Sequence, residues 1–368
     1  IILDPSGPSP RVIAALAVAL AGAAGASLAA GAAIRPLARR LRFYNPAEAH
    51  RDRDRRVPLG GGGAVLLGIA AGAALLGRSG LLPGGLPLAA LLGGTAAIFL
   101  LGLWDDLHPL PPTVKLAGQA AVVAALYPLL RPYGFQVTVL GETGLVPFLA
   151  TLAWGLTVTN AANLLDHGDG ICAGVCGIGA WTLAVCAFQT GQTFPAMALL
   201  LLGAGLAGFL AHNFPPARLF LGDAGSLSVG FLLGTLTVLQ TFYAPDREAP
   251  LTLWGMAAPL LCLAVPLADA AVVLAIRAAR GAPLFRGDRN HFSHRLLALG
   301  LTPRETAVAL YVLAFSVAIG APLLYAIPDP LTPLALTQAV AILSLVVLLE
   351  RAGRRRRPDG APPAPPPP

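Results

Sequence analysis

From residue 11 to residue 350 the chain repeats one pattern, a long apolar run followed by a short polar step. The runs fall at about 11–34, 59–77, 86–104, 114–130, 145–160, 171–189, 194–212, 224–242, 252–277, 304–325 and 332–350. A helix rising 1.5 Å per residue needs roughly 20 apolar residues to cross a bilayer core, so these runs predict transmembrane helices. The alternating segments of about ten residues that a membrane β-barrel requires are absent. The fold class is therefore all-α, a polytopic helical membrane protein of about eleven spans. Ten is the alternative count, because the run at 59–77 opens on the glycines 60–63. Residues 1–350 read as one integral membrane domain. Residues 351–368, RAGRRRRPDGAPPAPPPP, read as a basic, then proline-rich, disordered tail that anchors the topology.

Composition agrees. Charged residues make up 12% of the 368, against about 25% in soluble domains. Mean hydropathy is +0.71. The 42 glycines suit helices that pack closely in lipid. Cys172, Cys176, Cys186 and Cys262 lie in or beside apolar runs and read as small buried side chains. The first residues carry no basic leader, so the first span is expected to act as the membrane signal.

Charge orients the chain. With the N-terminus outside, 21 of the 25 Lys and Arg fall in the segments that then face the cytoplasm. The positive-inside rule thus predicts N-out and C-in. The net charge of +7 reflects topology and contact with anionic lipid, and no nucleic-acid partner is expected.

The acids add chemistry to this frame. Asp105, Asp106, Asp166, Asp169, Asp223 and Asp288 all fall on the same predicted cytoplasmic side. Asp105 and Asp106 end the third span, where a helix dipole disfavours them, and Lys115 opens the fourth one turn before Gln119. In NAANLLDHGDG, 160–170, Asn163, Asp166 and Asp169 recur at helical i,i+3 spacing, while the glycines weaken the helix; His167 has no evident role. In HNFPPARLFLGDAGS, 212–226, two prolines stop a span, then Asp223 and Ser226 open the next. Asp223 reads either as a metal-binding acid or as a simple helix N-cap. Asp269 sits inside a span and needs a partner, for which Arg277 is one candidate. DRNHFSHR, 288–295, gathers His291, His294 and Arg295, a set suited to gripping an anion. TPRE, 302–305, is a capping box. The segment 131–144 offers a hairpin, and the Arg-rich loop 51–56 reads as a solvated basic step. Carboxylates beside Arg and His are what Mg²⁺-dependent diphosphate chemistry requires.

In order along the chain, DDL…KLxxQ at 105–119, NxxNLxDxxDG at 160–170, NFPPARxFxGDxGS at 213–226, VPxxD at 265–269 and DRxHxxHRLL at 288–297 resemble the polyprenyl-phosphate N-acetylhexosamine-1-phosphate transferases. The last motif looks most like the N-acetylglucosamine-1-phosphate branch, which serves O-antigen, enterobacterial antigen and teichoic acid linkage synthesis. That branch commonly reads HxHHR, so Ser293 stands where a histidine is usual; the family often has glycine where this chain has His167.

The resemblance implies a bacterial inner-membrane enzyme with its site on the cytoplasmic face. It would move a sugar 1-phosphate, GlcNAc 1-phosphate by default, from a UDP-sugar to undecaprenyl phosphate and release UMP, starting cell-envelope polysaccharide synthesis. It implies Mg²⁺, with Mn²⁺ as a substitute, and it is compatible with a homodimer. By the same resemblance Asp105, Asp106, Asp166 and His291 are catalytic, and Asp223, Asp106 and Asn163 hold the metal. Asp169, Lys115, Asn160, His294, Arg295 and Asn213 bind substrate. Direct attack by the lipid phosphate and a route through an aspartyl phosphosugar are both open to these residues. A phospho-MurNAc-pentapeptide donor, or another UDP-N-acetylhexosamine, is the alternative. A transporter is the remote rival; it would place its polar groups at the bilayer midplane in repeated halves, and no repeat is visible.

Overall fold

The computed structural model describes residues 9–44, 56–82, 84–137, 144–240, 253–281, 291–326 and 332–355. The regular elements among them are helices: α1 (Pro10–Arg40), α2 (Gly61–Arg78), α3 (Leu86–Leu107), α4 (Pro112–Leu130), α5 (Leu145–Leu165), α6 (Ile171–Gln189), α7 (Thr193–Asn213), α8 (Gly222–Leu239), α9 (Ala258–Cys262), α10 (Ala264–Ala279), α11 (Phe292–Ala298), α12 (Pro303–Ala318), α13 (Gly320–Ala326) and α14 (Thr332–Arg355). The chain is thus all-α, and it is a multi-pass membrane protein. Nine stretches among the described residues are long and apolar enough to cross a bilayer, α12 and α13 together forming one of them.

Two expected spans differ in form. The run at 252–277 is broken: a helix ending at Cys262 meets α10 at a bend of 75°. Pro266 explains the break, because its ring occupies the space of the carbonyl four residues back, that of Cys262. The run at 332–350 lies within α14, but its apolar part, Pro333–Leu348, is shorter than a full crossing. Between α4 and α5 the chain starts as a 3₁₀ turn, Arg131–Tyr133, and residues 138–143 of the suggested hairpin lie outside the described residues. So do Arg51, Arg53 and Arg55, Asp288, and the tail from residue 356.

α8 is the axis of the bundle. Of its 18 residues all except Asp223 are buried. It packs against α2, α3, α5 and α7. Small residues let these helices approach. A Cβ on Gly62 would lie 2.5 Å from Gly225, and one on Gly102 would lie 2.6 Å from Ala224. The glycine run that opens α2 therefore has a packing role: Gly61 N donates to Phe220 O at 2.8 Å and Gly62 N to Leu221 O at 3.0 Å. These contacts press α2 and α3 onto the first turn of α8.

Candidate active site

Asp105 and Asp106 lie in the last turn of α3, where the helix dipole opposes them. The start of α8 answers that problem. Asp106 Oδ1 accepts from Asp223 N at 2.8 Å, and Oδ2 accepts from Ala224 N at 3.1 Å. The carboxylate from the negative end of one helix thus closes the positive end of another, satisfying two otherwise orphaned N–H groups. Asp223 is accordingly not the N-cap of α8; Leu221 holds that position, and Asp223 sits one residue inside the helix. Its side chain is free of capping duty and 34% exposed.

Gly222 makes this junction tight. Its φ is +76°, and a Cβ there would lie 2.7 Å from Asp106 Oδ2. Gly222→Ala is expected to destabilise the protein by roughly 1–3 kcal/mol and to push Asp106 off the helix start. Thermal unfolding in detergent, read with activity, checks this.

Lys115, from α4, bridges Asp105 and Asp223, at 2.9 Å from Asp223 Oδ2. Asp105 is 5% exposed and also accepts from Leu110 N at 2.7 Å. It meets the site through Lys115 and also lies directly beside Asp223. From α5, Asn163 Nδ2 donates to Asp223 Oδ1 at 2.7 Å and to Ser226 Oγ at 2.9 Å. Asn160 stands one turn behind, paired with Gln119 at 2.7 Å.

α5 stops at Leu165, and Asp166 is its C-cap. The expected helix break falls within NLLDHGDG, with Gly170 at φ +72° starting α6. Burial, then the charges of Asp223 and Asp106, push the Asp166 carboxyl well above the usual carboxylate range. Asp169 turns to the next loop, accepting from Ala217 N at 2.8 Å. Asn213, buried, takes Gly170 N on its Oδ1 at 3.0 Å and donates to Leu219 O at 3.0 Å. Both residues brace the two loops that carry the site. Tyr311 Oη on Gly170 O at 2.7 Å and Arg304 Nε on Pro215 O at 2.9 Å tie the same loops to α12. Sequence pattern marked neither as a brace, although Arg304 lies in the capping box TPRE, which Thr302 and Glu305 close as expected at the start of α12.

The histidines form a second group across the same turn. Asp269 of α10 is 1% exposed; its Oδ2 lies 2.7 Å from His291 Nδ1, and its Oδ1 accepts from Phe292 N at 2.6 Å. The buried acid thus finds partners at the start of α11. The Arg295 guanidinium sits 4.3 Å over the Phe292 ring. His167, for which the sequence offered no role, stacks on His291 at 4.1 Å between ring centroids and lies 5.3 Å from His294. Burial, then proximity to His291, lowers the His167 imidazole to about 4, so it is neutral at physiological pH. Its Nδ1 meets Leu164 O at 2.8 Å, and a carbonyl only accepts. The proton therefore sits on Nδ1, and Nε2 accepts from the Ser293 hydroxyl at 2.5 Å.

At one end of an apolar bundle, then, Asp105 and Asp223 hold Lys115 between them, Asp106 closes the start of α8 beside Asp223, and Asp166 lies close enough for the charges of Asp223 and Asp106 to act on it. A divalent cation of the Mg²⁺ type beside the partly exposed Asp223 carboxylate would offset the negative charge that gathers here. A membrane protein with such an interfacial carboxylate site is a candidate for phosphoryl chemistry on a lipid. Comparison with known proteins makes the class definite. Residues 88–241 match the family model described as glycosyl transferase family 4. A protein named as a glycosyltransferase in Streptomyces coelicolor is 40% identical over 72% of this chain and 60% of its own length. A Bacillus subtilis protein named for undecaprenyl-phosphate N-acetylglucosaminyl 1-phosphate transfer is 32% identical over 73% of each chain. A Mycobacterium leprae decaprenyl-phosphate N-acetylglucosaminephosphotransferase is 32% identical over 74% of this chain and 75% of its own. The chain belongs to glycosyl transferase family 4. It spans 60% of the length of the Streptomyces relative.

Proposed function

We propose that the protein transfers a hexosamine 1-phosphate, N-acetylglucosamine 1-phosphate first among them, from a UDP-sugar to undecaprenyl phosphate. The observation that carries this reading is the convergence of Asp105, Asp106, Lys115 and Asp223 where the apolar bundle ends. A lipid phosphate can reach that point from the bilayer and a nucleotide from the water, with the cytoplasmic side favoured by the basic loops. The relatives named for N-acetylglucosamine transfer support the sugar.

In the proposed step an oxygen of the lipid phosphate attacks the β-phosphorus of the donor. The bond from that phosphorus to the bridging oxygen breaks, and UMP leaves with the electron pair. The lipid phosphate is already an oxyanion near neutral pH, its second pKa being about 6, so a general base adds little. The larger demand is charge. Unit charges 4 Å apart repel by about 4 kcal/mol at an effective dielectric of about 20. Bound Mg²⁺ would supply neutralising charge to the phosphate oxygens. Asp223 is the open carboxylate that would hold it, with Asp106 and the amide oxygen of Asn163 alongside. Lys115 adds positive charge while Asp105 fixes its position. His291, His294 and Arg295 would take the diphosphate and sugar, and Asp169 would face the nucleotide from the loop it braces.

Purified protein given undecaprenyl phosphate and a panel of UDP-sugars tests this reading. UMP release is expected to be fastest with UDP-GlcNAc, to stop with EDTA and to return with Mg²⁺, less fully with Mn²⁺. Faster release from UDP-MurNAc-pentapeptide would reassign the donor, and release indifferent to EDTA would remove the metal.

A further inference from the structure

We infer that His167 is a positioning residue of the site, supplying from the α5–α6 turn an imidazole that buttresses His291, in the space a histidine at position 293 would fill. The inference rests on the proposed transferase reading.

Three observations carry it. First, His167 and Ser293, 126 residues apart, are directly bonded, Nε2 to Oγ at 2.5 Å. Second, the space is exclusive. An imidazole at 293 would extend beyond the present Oγ into the volume of the His167 ring, and Ser293 itself is 2% exposed. Glycine at 167 would vacate that volume. A Cβ at the neighbouring Gly168 would stand 4.0 Å from Ser293 Oγ, so the turn backbone already lies against this residue. Third, the His167 ring is fixed at both nitrogens, by Leu164 O and Ser293 Oγ, and lies on His291 with an interplanar angle of 25°.

The chemical role follows from that stacking. Asp269 holds one edge of His291 at Nδ1, and His167 covers one face. A ring held by an edge and a face can neither tilt nor turn, so its remaining nitrogen has one direction toward substrate. A shared metal ion is the other way to read these three residues, whose ligand atoms lie within 4.8 Å of one another. Stacked rings argue against it, because their nitrogen lone pairs point outward in nearly parallel planes and do not converge.

The test compares His167→Gly, Ser293→His and the double variant with the parent protein, reading donor KM, kcat and melting temperature in detergent. His167→Gly is expected to raise donor KM roughly tenfold while kcat changes by less than about threefold. Ser293→His alone, with both imidazoles contesting one volume, is expected to lose melting temperature and activity. The double variant should return donor KM to within about threefold of the parent. An unchanged KM in His167→Gly, full tolerance of Ser293→His alone, or a double variant no better than His167→Gly would each overturn the inference. If the parent protein releases no UMP from any donor, the transferase reading fails. Melting temperature then judges the exchange: it should fall in both single variants and recover in the double, and failure to recover refutes it.

Discussion

Asp223→Asn is expected to lower the turnover of the purified protein by roughly a thousandfold or more, while its melting temperature stays near that of the parent. The reasoning is local. Asp223 is the residue of α8 that is not buried, and the cap of that helix is supplied by Asp106, so removing its charge leaves the bundle intact. What is lost is the carboxylate that Lys115 and Asn163 hold in place and that the proposed cation would occupy. Asparagine keeps the shape and one oxygen, so weak residual activity at high Mg²⁺ is expected. Near-parent turnover at ordinary Mg²⁺ would show that the metal sits elsewhere.

Asp269→Ala should act in the opposite way, through the fold. It strips the acceptor from two buried donors, Phe292 N and His291 Nδ1. Leaving a buried donor unsatisfied costs about 1–3 kcal/mol, so the pair amounts to roughly 2–6 kcal/mol. A fall in melting temperature is expected together with loss of activity, because α11 and the His167 stack are held by that one carboxylate. Asp269→Asn, which keeps an acceptor for one donor, should lie between the two. A melting temperature unchanged in the alanine variant would mean that α11 is anchored by other contacts.

These two results separate what the chain shows on inspection from what only the fold reveals. Apolar runs announced the helices because each must satisfy its own backbone in lipid. Asp105, Asp106, Asp166, Asp223 and Lys115 stood out because charge is scarce in such a chain, and all five meet at one end of the bundle. The division of labour among them was not legible. Asp106 caps a helix that begins 116 residues later, and no local spacing encodes a cap supplied from another helix. The reading of Asp223 as its own cap failed for that reason. Pro266 is visible in the run at 252–277, but the 75° bend at its displaced carbonyl is not legible in an apolar run. The cost of Asp269 was plain from its place in a span, while its partners lay in a different helix. His167 had no role because its partner, Ser293, is remote in sequence, and nothing local to either residue encodes the bond between them.

The most direct test of the proposed activity is UMP release from UDP-GlcNAc by purified protein, measured with and without undecaprenyl phosphate at saturating Mg²⁺. Release that requires the lipid, with one UMP formed for each lipid-linked sugar diphosphate, is the expected result. Release at the same rate without lipid, or lipid-linked product formed with UDP in place of UMP, would contradict it.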